Sequence, residues 1–233
     1  MKPNYSVIVP AKNEGDGILR FLVALDNVAS QAFECILVVD NPNDSTLNSI
    51  QKFKFNNGSL VICVNDSDSG FPGAIKYGIK KSTTCVVVIA MADGSDDVSS
   101  IPLLVRLVNR GVTIACASRY MSGGQQIGAP KLKGYLSKIA GKSFGLITSC
   151  GTKDATNNFK AYSKEFLNKN IIESSSGFQV GLELVAKATR QKLPIAEIPT
   201  IWIERTYGIS NFNLRMSLKS YLKWYFYGIG LLR

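Results

Sequence analysis

The feature that most constrains this chain is a series of short, wholly apolar segments spaced through its first 118 residues. Val86-Val87-Val88-Ile89-Ala90 is the clearest, and Cys35-Ile36-Leu37-Val38-Val39 is another. A strand with one wet face alternates apolar and polar residues. One that is apolar at every position has both faces covered, as in the parallel sheets of α/β folds. The pattern predicts strands near 5–10, 34–40, 59–65, 84–91 and 112–118, with helices near 15–29, 44–54, 71–82 and 99–110. Alternating strand and helix implies a Rossmann-like, mostly parallel sheet flanked by helices. Beyond residue 119 the alternation loosens into a Gly-rich loop at Ser122-Gly123-Gly124, a Lys-studded helix near 133–148, a strand at 158–162, a helix near 178–191 and a strand at 195–203. No internal repeat or low-complexity linker interrupts the chain, so one domain with a C-terminal appendage is expected.

In such sheets ligands bind beyond the carboxyl ends of the strands. Those ends lead here into Ala11-Lys12-Asn13-Glu14, Asp40-Asn41-Pro42-Asn43-Asp44, Asn65-Asp66-Ser67-Asp68-Ser69-Gly70 and Asp93-Gly94-Ser95-Asp96-Asp97. Every loop carries carboxylates, and an acidic mouth of this kind recruits a hard cation with oxygen ligands. Gly70 and Gly73 would let the backbone approach a ligand or simply shape a turn. Neither a Gly-x-Gly-x-x-Gly nor a Gly-x4-Gly-Lys-Ser/Thr loop is present, which argues against dinucleotide dehydrogenases and P-loop NTPases.

The 233 residues contain no histidine. That removes Ser-His-Asp triads, Cys-His dyads, His-bearing zinc sites and an imidazole base. Chemistry must rest on carboxylates, hydroxyls, amines, backbone groups or a borrowed metal. The five cysteines lack Cys-x-x-Cys spacing; the first four lie in apolar runs and are expected to be buried thiols in a reducing compartment. The apolar stretch after Met1 is too short for a secretory signal, so a cytoplasmic location is expected.

Net charge is +10, unevenly distributed. Residues 1–118 hold 10 Lys/Arg and 11 Asp/Glu, whereas residues 119–233 hold 17 and 6. A basic second half suggests a polyanionic partner: nucleic acid, an anionic membrane surface or a phosphorylated substrate. No nucleic-acid-binding motif accompanies the charge, and nucleic acid is not expected.

Taken in order, Val9-Pro10-Ala11-Lys12-Asn13-Glu14, Val38-Val39-Asp40, Gly70-Phe71-Pro72-Gly73-Ala74, Met91-Ala92-Asp93, Ser118-Arg119-Tyr120, Asp154-Ala155-Thr156-Asn157-Asn158-Phe159 and Arg205-Thr206-Tyr207-Gly208-Ile209-Ser210 resemble glycosyltransferase family 2. Within it they are most similar to the dolichyl-phosphate mannose synthase branch. The resemblance runs from about residue 5 to 212 and implies a GT-A fold over 1–212. It further implies an inverting transfer of a sugar from a UDP- or GDP-linked donor to a polyprenyl phosphate, or alternatively to a glycan hydroxyl. A degenerate nucleotide-sugar-binding protein is the non-enzymatic alternative.

The same resemblance implies roles for individual residues. Pro10, Ala11, Asn13, Glu14, Asp40, Gly73, Ala92 and Asp93 would line the nucleotide site. Asp93, with Ser95, would hold Mg²⁺ or Mn²⁺ against the donor diphosphate. The family carries Asp-x-Asp here; Met91 replaces the first aspartate, so either the substrate phosphates and water complete the set or Ser95, Asp96 and Asp97 supply oxygens. Asp97 could equally start the helix that follows. Arg119, Lys133, Arg205 and Ser210 would contact the acceptor phosphate, with Asn211 where a lysine is usual. Arg119 and Arg205, with Asp93 and Asp154, form the expected catalytic set. Asp154 would be a general base for a hydroxyl acceptor, or an organising group for a phosphate one, since a phosphate monoester with a second pKa of about 6 is already anionic at neutral pH.

Residues 213–233 place Arg215, Lys219 and Lys223 on one helical stripe beside Leu218, Leu222, Tyr225 and Ile229. The uncharged run Trp224–Leu232 is far short of the ~20 residues needed to span a bilayer. This helix is expected to lie on a membrane surface or to dock on protein.

Overall fold

The structure, a computed structural model, describes residues 2–66, 68, 70–204 and 214–232, with side chains except at 131–133 and 214–217. Arg205 and Ser210 lie outside the described residues, and so does the side chain of Lys133.

Strands β1 (Tyr5–Pro10), β2 (Phe33–Val39), β3 (Gly58–Val64), β4 (Val86–Ile89), β5 (Ile114–Ser118), β7 (Lys160–Ser163) and β8 (Ile195–Pro199) form one sheet in the order β3-β2-β1-β4-β7-β5-β8. All run parallel except β7, which is antiparallel to both β4 and β5. The order β3-β2-β1-β4 sets the four acidic loops side by side along the carboxyl edge of the sheet. Strands β1, β2, β4 and β5 are buried on both faces, Val7 and Val9 facing one core cluster and Ile8 the other, whereas the edge strand β3, equally apolar, leaves Val61 and Ile62 exposed.

The first face is covered by α1 (Gly17–Val28) and α4 (Ile101–Asn109), with Ile18, Phe21, Leu22 and Leu25 packed beside Ile101, Leu104 and Val105. The short helix α2 (Ser45–Ile50) adds Ile50 to the same cluster. The second face carries α3 (Phe71–Lys81), α5 (Lys131–Thr148) and α7 (Val180–Arg190), while α6 (Lys164–Lys169) follows β7. Helix α8 (Leu214–Gly228) packs on α7 and α5. Trp224 is its anchor: the ring is buried in the second core, Nε1 donates to Ser174 Oγ, and the ammonium groups of Lys187 and Lys223 lie 4.9 and 4.4 Å from its centroid. No helix among the described residues is long and apolar enough to cross a membrane.

Two expectations are corrected. The strand expected over 195–203 is broken at Thr200. Its first part joins the main sheet, and β9 (Ile201–Ile203) pairs with β6 (Gln125–Ile127) in a separate two-stranded sheet. Thr200 is buried at the break, donating its N–H to Ser118 O and accepting from Gln125 N, so one residue serves both sheets. Cys85, expected to be buried, is exposed because β4 begins only at Val86.

Candidate active site

Two clusters meet at the carboxyl edge. The first is built from the loops after β1, β2 and β3. Asn13 has φ 55°, and its N–H points into the Asp44 carboxylate at 2.9 Å, while Glu14 N donates to Thr46 Oγ1. Asp44 also caps α2 through Thr46 N, so the Pro10–Glu14 loop is moored to the start of that helix. Asp40 Oδ2 accepts from Gly70 N at 2.7 Å. Its Oδ1 is buried and lacks a hydrogen-bond partner among the described residues. A buried carboxylate oxygen without a donor is costly unless a ligand supplies one.

Gly70 has φ 88°, which favours glycine, and it caps α3. Gly73 is required for a different reason. A Cβ there would lie 1.5 Å from Asp68 O, inside the loop that presents Gly70 to Asp40. Gly73→Ala is therefore expected to displace this loop, lower the melting temperature and weaken nucleoside diphosphate binding at least about tenfold. Equal affinity of the two proteins by calorimetry would refute it.

The second cluster surrounds Arg119, at the end of β5. Asp154, fully buried, receives Arg119 Nε on Oδ2 and Arg119 Nη2 on Oδ1, both at 2.8 Å. It also accepts from Arg119 N, Asn157 N and Thr156 Oγ1. Five donors exhaust the roughly four lone-pair directions of a carboxylate. Burial pushes the Asp154 carboxyl upward, but the guanidinium outweighs it and holds the group below its ordinary range. The same pair keeps the Arg119 guanidinium charged in spite of its burial. Asp154 is itself held by Glu197 of β8, which accepts from Lys153 N and Thr152 Oγ1 while Thr152 Oγ1 accepts from Asp154 N.

Asp93, at the end of β4, turns its own loop by accepting from Ser95 N. Asp96 and Asp97, considered as further metal oxygens, are engaged elsewhere. Asp96 is buried, accepts from Met91 N, and is pushed by burial up to about 7; Asp97 caps the 3-10 turn at Val98–Ser100 through Ser99 N. Among the described residues no three Asp, Glu, Cys or His side chains gather as a metal cage. One carboxylate, with Ser95 beside it, fits Mg²⁺ or Mn²⁺ in the mode where substrate phosphates and water complete the shell. Ala11 and Ala92 are buried beneath these loops, and Pro10 ends β1 half-buried.

A cavity of about 480 Å³ joins the second cluster to the surface. Its polar lining includes Asp93, Ser95, Arg119, Ser137, Thr156, Asn158 and Glu204. Its walls are apolar: Leu136, Ile139 and Ala140 from α5, and Leu218, Leu222, Tyr225 and Phe226 from α8. Leu136, Ile139, Leu218 and Leu222 are also exposed, so the cavity opens between two greasy lips. Arg119 Nη1 has no hydrogen-bond partner among the described residues, while Nε and Nη2 are occupied by Asp154 and its neighbours. The sequence had not marked Ser137 or Glu197, whose partners lie 17 to 45 residues away in the chain.

A profile described as glycosyl transferase family 2 matches residues 6–171, well over half of the chain. The chain belongs to glycosyltransferase family 2. This glycosyltransferase is 25% identical over 229 residues to polyprenol monophosphomannose synthase of Mycolicibacterium smegmatis, covering 94% of the chain and 85% of that relative. It is 27% identical over 211 residues to dolichol-phosphate mannosyltransferase of Pyrococcus furiosus, covering 89% of the chain but only 59% of the archaeal protein. Among solved structures, glucosyl-3-phosphoglycerate synthase from Mycobacterium tuberculosis in complex with Mn²⁺, UDP and glucosyl-3-phosphoglycerate superposes with a TM-score of 0.70, at 14% identity, over 99% of this chain and 81% of that one. The same enzyme with Mg²⁺ and UDP gives 0.67. At this identity the likeness establishes the glycosyltransferase's α/β fold and nothing finer.

Proposed function

We propose that the enzyme transfers a sugar from a nucleoside diphosphate to a polyprenyl phosphate, with inversion. The observation that carries this reading is the apolar cavity between α5 and α8, lined also by Arg119, whose Nη1 has no partner among the described residues. An isoprenoid chain suits the walls, and a phosphate suits the N–H groups of Nη1 on a guanidinium already held by Asp154. The phosphate oxygen attacks the anomeric carbon, the bond from that carbon to the diphosphate breaks, and the nucleoside diphosphate leaves. Because the nucleophile is already an anion, no base is needed, in keeping with a chain that lacks histidine. Asp40 Oδ1 would accept from the base or ribose, and Asp93 faces the same cavity as Arg119. Mg²⁺ or Mn²⁺, held by Asp93 and Ser95, would supply Lewis-acid stabilisation of the departing diphosphate.

Membrane-surface association belongs to this reading. Residues 129–153 carry five Lys and no acidic residue, and residues 205–233 five Lys/Arg and none. Exposed Tyr135, Leu146, Leu231 and Leu232 accompany them, a pairing suited to the headgroup region of an anionic leaflet. The domain proposal follows: residues 1–212 as catalytic unit, and 213–233, which include α8, as the element at that surface. Purified protein incubated with Mn²⁺, a panel of UDP- and GDP-sugars and a polyprenyl phosphate in anionic vesicles should release UDP or GDP and form a glycolipid. Release only with a glycan hydroxyl acceptor, or none with any donor, overturns the proposal.

A further inference from the structure

The hydroxyl of Tyr120 has no part in the transfer described above, yet it occupies a junction. Tyr120 is buried, and its ring lies against the Arg119 guanidinium, 4.7 Å from centroid to Cζ. Its OH lies 2.9 Å from Ser137 Oγ of α5 and 3.1 Å from Gln126 Oε1 of β6. Ser137 Oγ in turn lies 2.9 Å from Thr156 Oγ1, and Thr156 donates to Asp154. Arg119 Nη2 reaches both Thr156 and Ser137.

These hydroxyls form a directed series, because its far end is a carboxylate that only accepts. Thr156 donates to Asp154, Ser137 to Thr156, and Tyr120 gives its single proton to Ser137, so the Gln126 amide must turn its NH₂ to the Tyr120 oxygen. Each proton is thereby assigned, and the network holds Arg119 on the side away from its open edge. Both partners of the Tyr120 hydroxyl, Ser137 and Gln126, line the cavity, and Ser137 is flanked by the wall residues Leu136, Ile139 and Ala140. An occupant of the cavity would therefore touch the elements that fix the guanidinium.

We infer that Tyr120 is a positioning residue that couples occupancy of the apolar cavity to the placement of Arg119. The inference rests on the acceptor reading given above. It makes the acceptor's chain a contributor to turnover as well as to binding, since contacts remote from the reacting atoms are then realised at the reacting centre. Tyr120→Phe is the clean test: it keeps the ring under Arg119 and removes only the link to α5 and β6.

The experiment compares kcat and KM for a long-chain polyprenyl phosphate and for a water-soluble short-chain prenyl phosphate, in wild type, Tyr120→Phe and Tyr120→Leu. Wild type should show kcat about tenfold higher on the long chain, the scale of one charge-linked hydrogen-bond network. In Tyr120→Phe that ratio should fall toward one while donor KM stays unchanged. Tyr120→Leu should in addition raise KM for both phosphates, because the ring contact is gone. A Tyr120→Phe protein that keeps the full wild-type ratio overturns the inference alone, as does a wild type with no chain-length effect on kcat. A wild type inactive on both phosphates but active on a hydroxyl acceptor overturns the acceptor reading and the coupling with it.

Discussion

Asp154→Asn is expected to lower kcat by about 10²–10³-fold and to destabilise the fold by roughly 3–5 kcal/mol, the range found when one partner of a buried ion pair is removed. The carboxylate is fully buried and takes five donors, three of them from Arg119. An amide of the same shape turns an NH₂ toward donors it must now repel, and Arg119 is left charged in a buried place without a counter-ion. The loss in turnover would come from a guanidinium that no longer holds its open edge toward the cavity. A base mechanism would require Asp154 to take a proton, and a carboxyl held below its ordinary range by Arg119 is poorly suited to that.

The linkage has a definite sign. The folded Asp154 pKa is depressed, so its contribution is fully present above the unfolded carboxylate value of about 4 and is lost as pH falls through the lower folded value. Urea melts of wild type should therefore lose stability on acidification below about pH 4, and Asp154→Asn should show a flatter acid limb. A variant that melts like wild type at pH 7, or that keeps the whole acid dependence, would contradict the pairing described here.

Asp93→Ala is expected to abolish the enhancement of UDP or GDP binding by Mn²⁺ and to reduce kcat/KM by about 10³-fold, the scale of several kcal/mol attributed to metal stabilisation of a leaving diphosphate. Asp93 is the one carboxylate of its loop that faces the cavity, because Asp96 is turned to Met91 N and Asp97 to Ser99 N. The complementary variant adds what the family motif has and this chain lacks. Met91 lines the cavity, so Met91→Asp should lower the metal concentration needed for half-maximal nucleotide binding. Calorimetric titration of nucleotide with and without Mn²⁺ reads both variants independently of turnover. Metal-enhanced binding that survives in Asp93→Ala would remove Asp93 from the metal site.

Much of this was legible in the chain. The two-sided apolar strands dictated a covered parallel sheet, and the acidic loops at their ends marked the mouth. Asp93 and Arg119, 26 positions apart, line one cavity. What the sequence concealed depends on juxtaposition. Ser137 in a Lys-rich helix looks like a surface hydroxyl, and its contacts with Arg119, Tyr120 and Thr156 exist only once α5 has packed. Lys160-Ala161-Tyr162-Ser163 resembles an edge strand, since a lysine at the centre of a sheet is expensive. Lys160 is nonetheless fully buried, with Nζ directed to Ala155 O, and burial pulls its pKa down. The break at Thr200 likewise has no local signature beyond Pro199, because it comes from Ser118 engaging the N–H and Gln125 the carbonyl of one residue.

The reversed direction of β7 decides where Asp154 can be. Six strands of the sheet deliver their outgoing ends to the mouth, and β7 delivers its incoming end. The segment that precedes β7, carrying Asp154, Thr156 and Asn158, therefore arrives where β4 and β5 depart. Were β7 parallel to its neighbours, that segment would enter from the opposite rim, a full strand length from Arg119. One inverted strand thus lets two distant stretches of the chain share a single buried charge pair, and it does so without lengthening any loop.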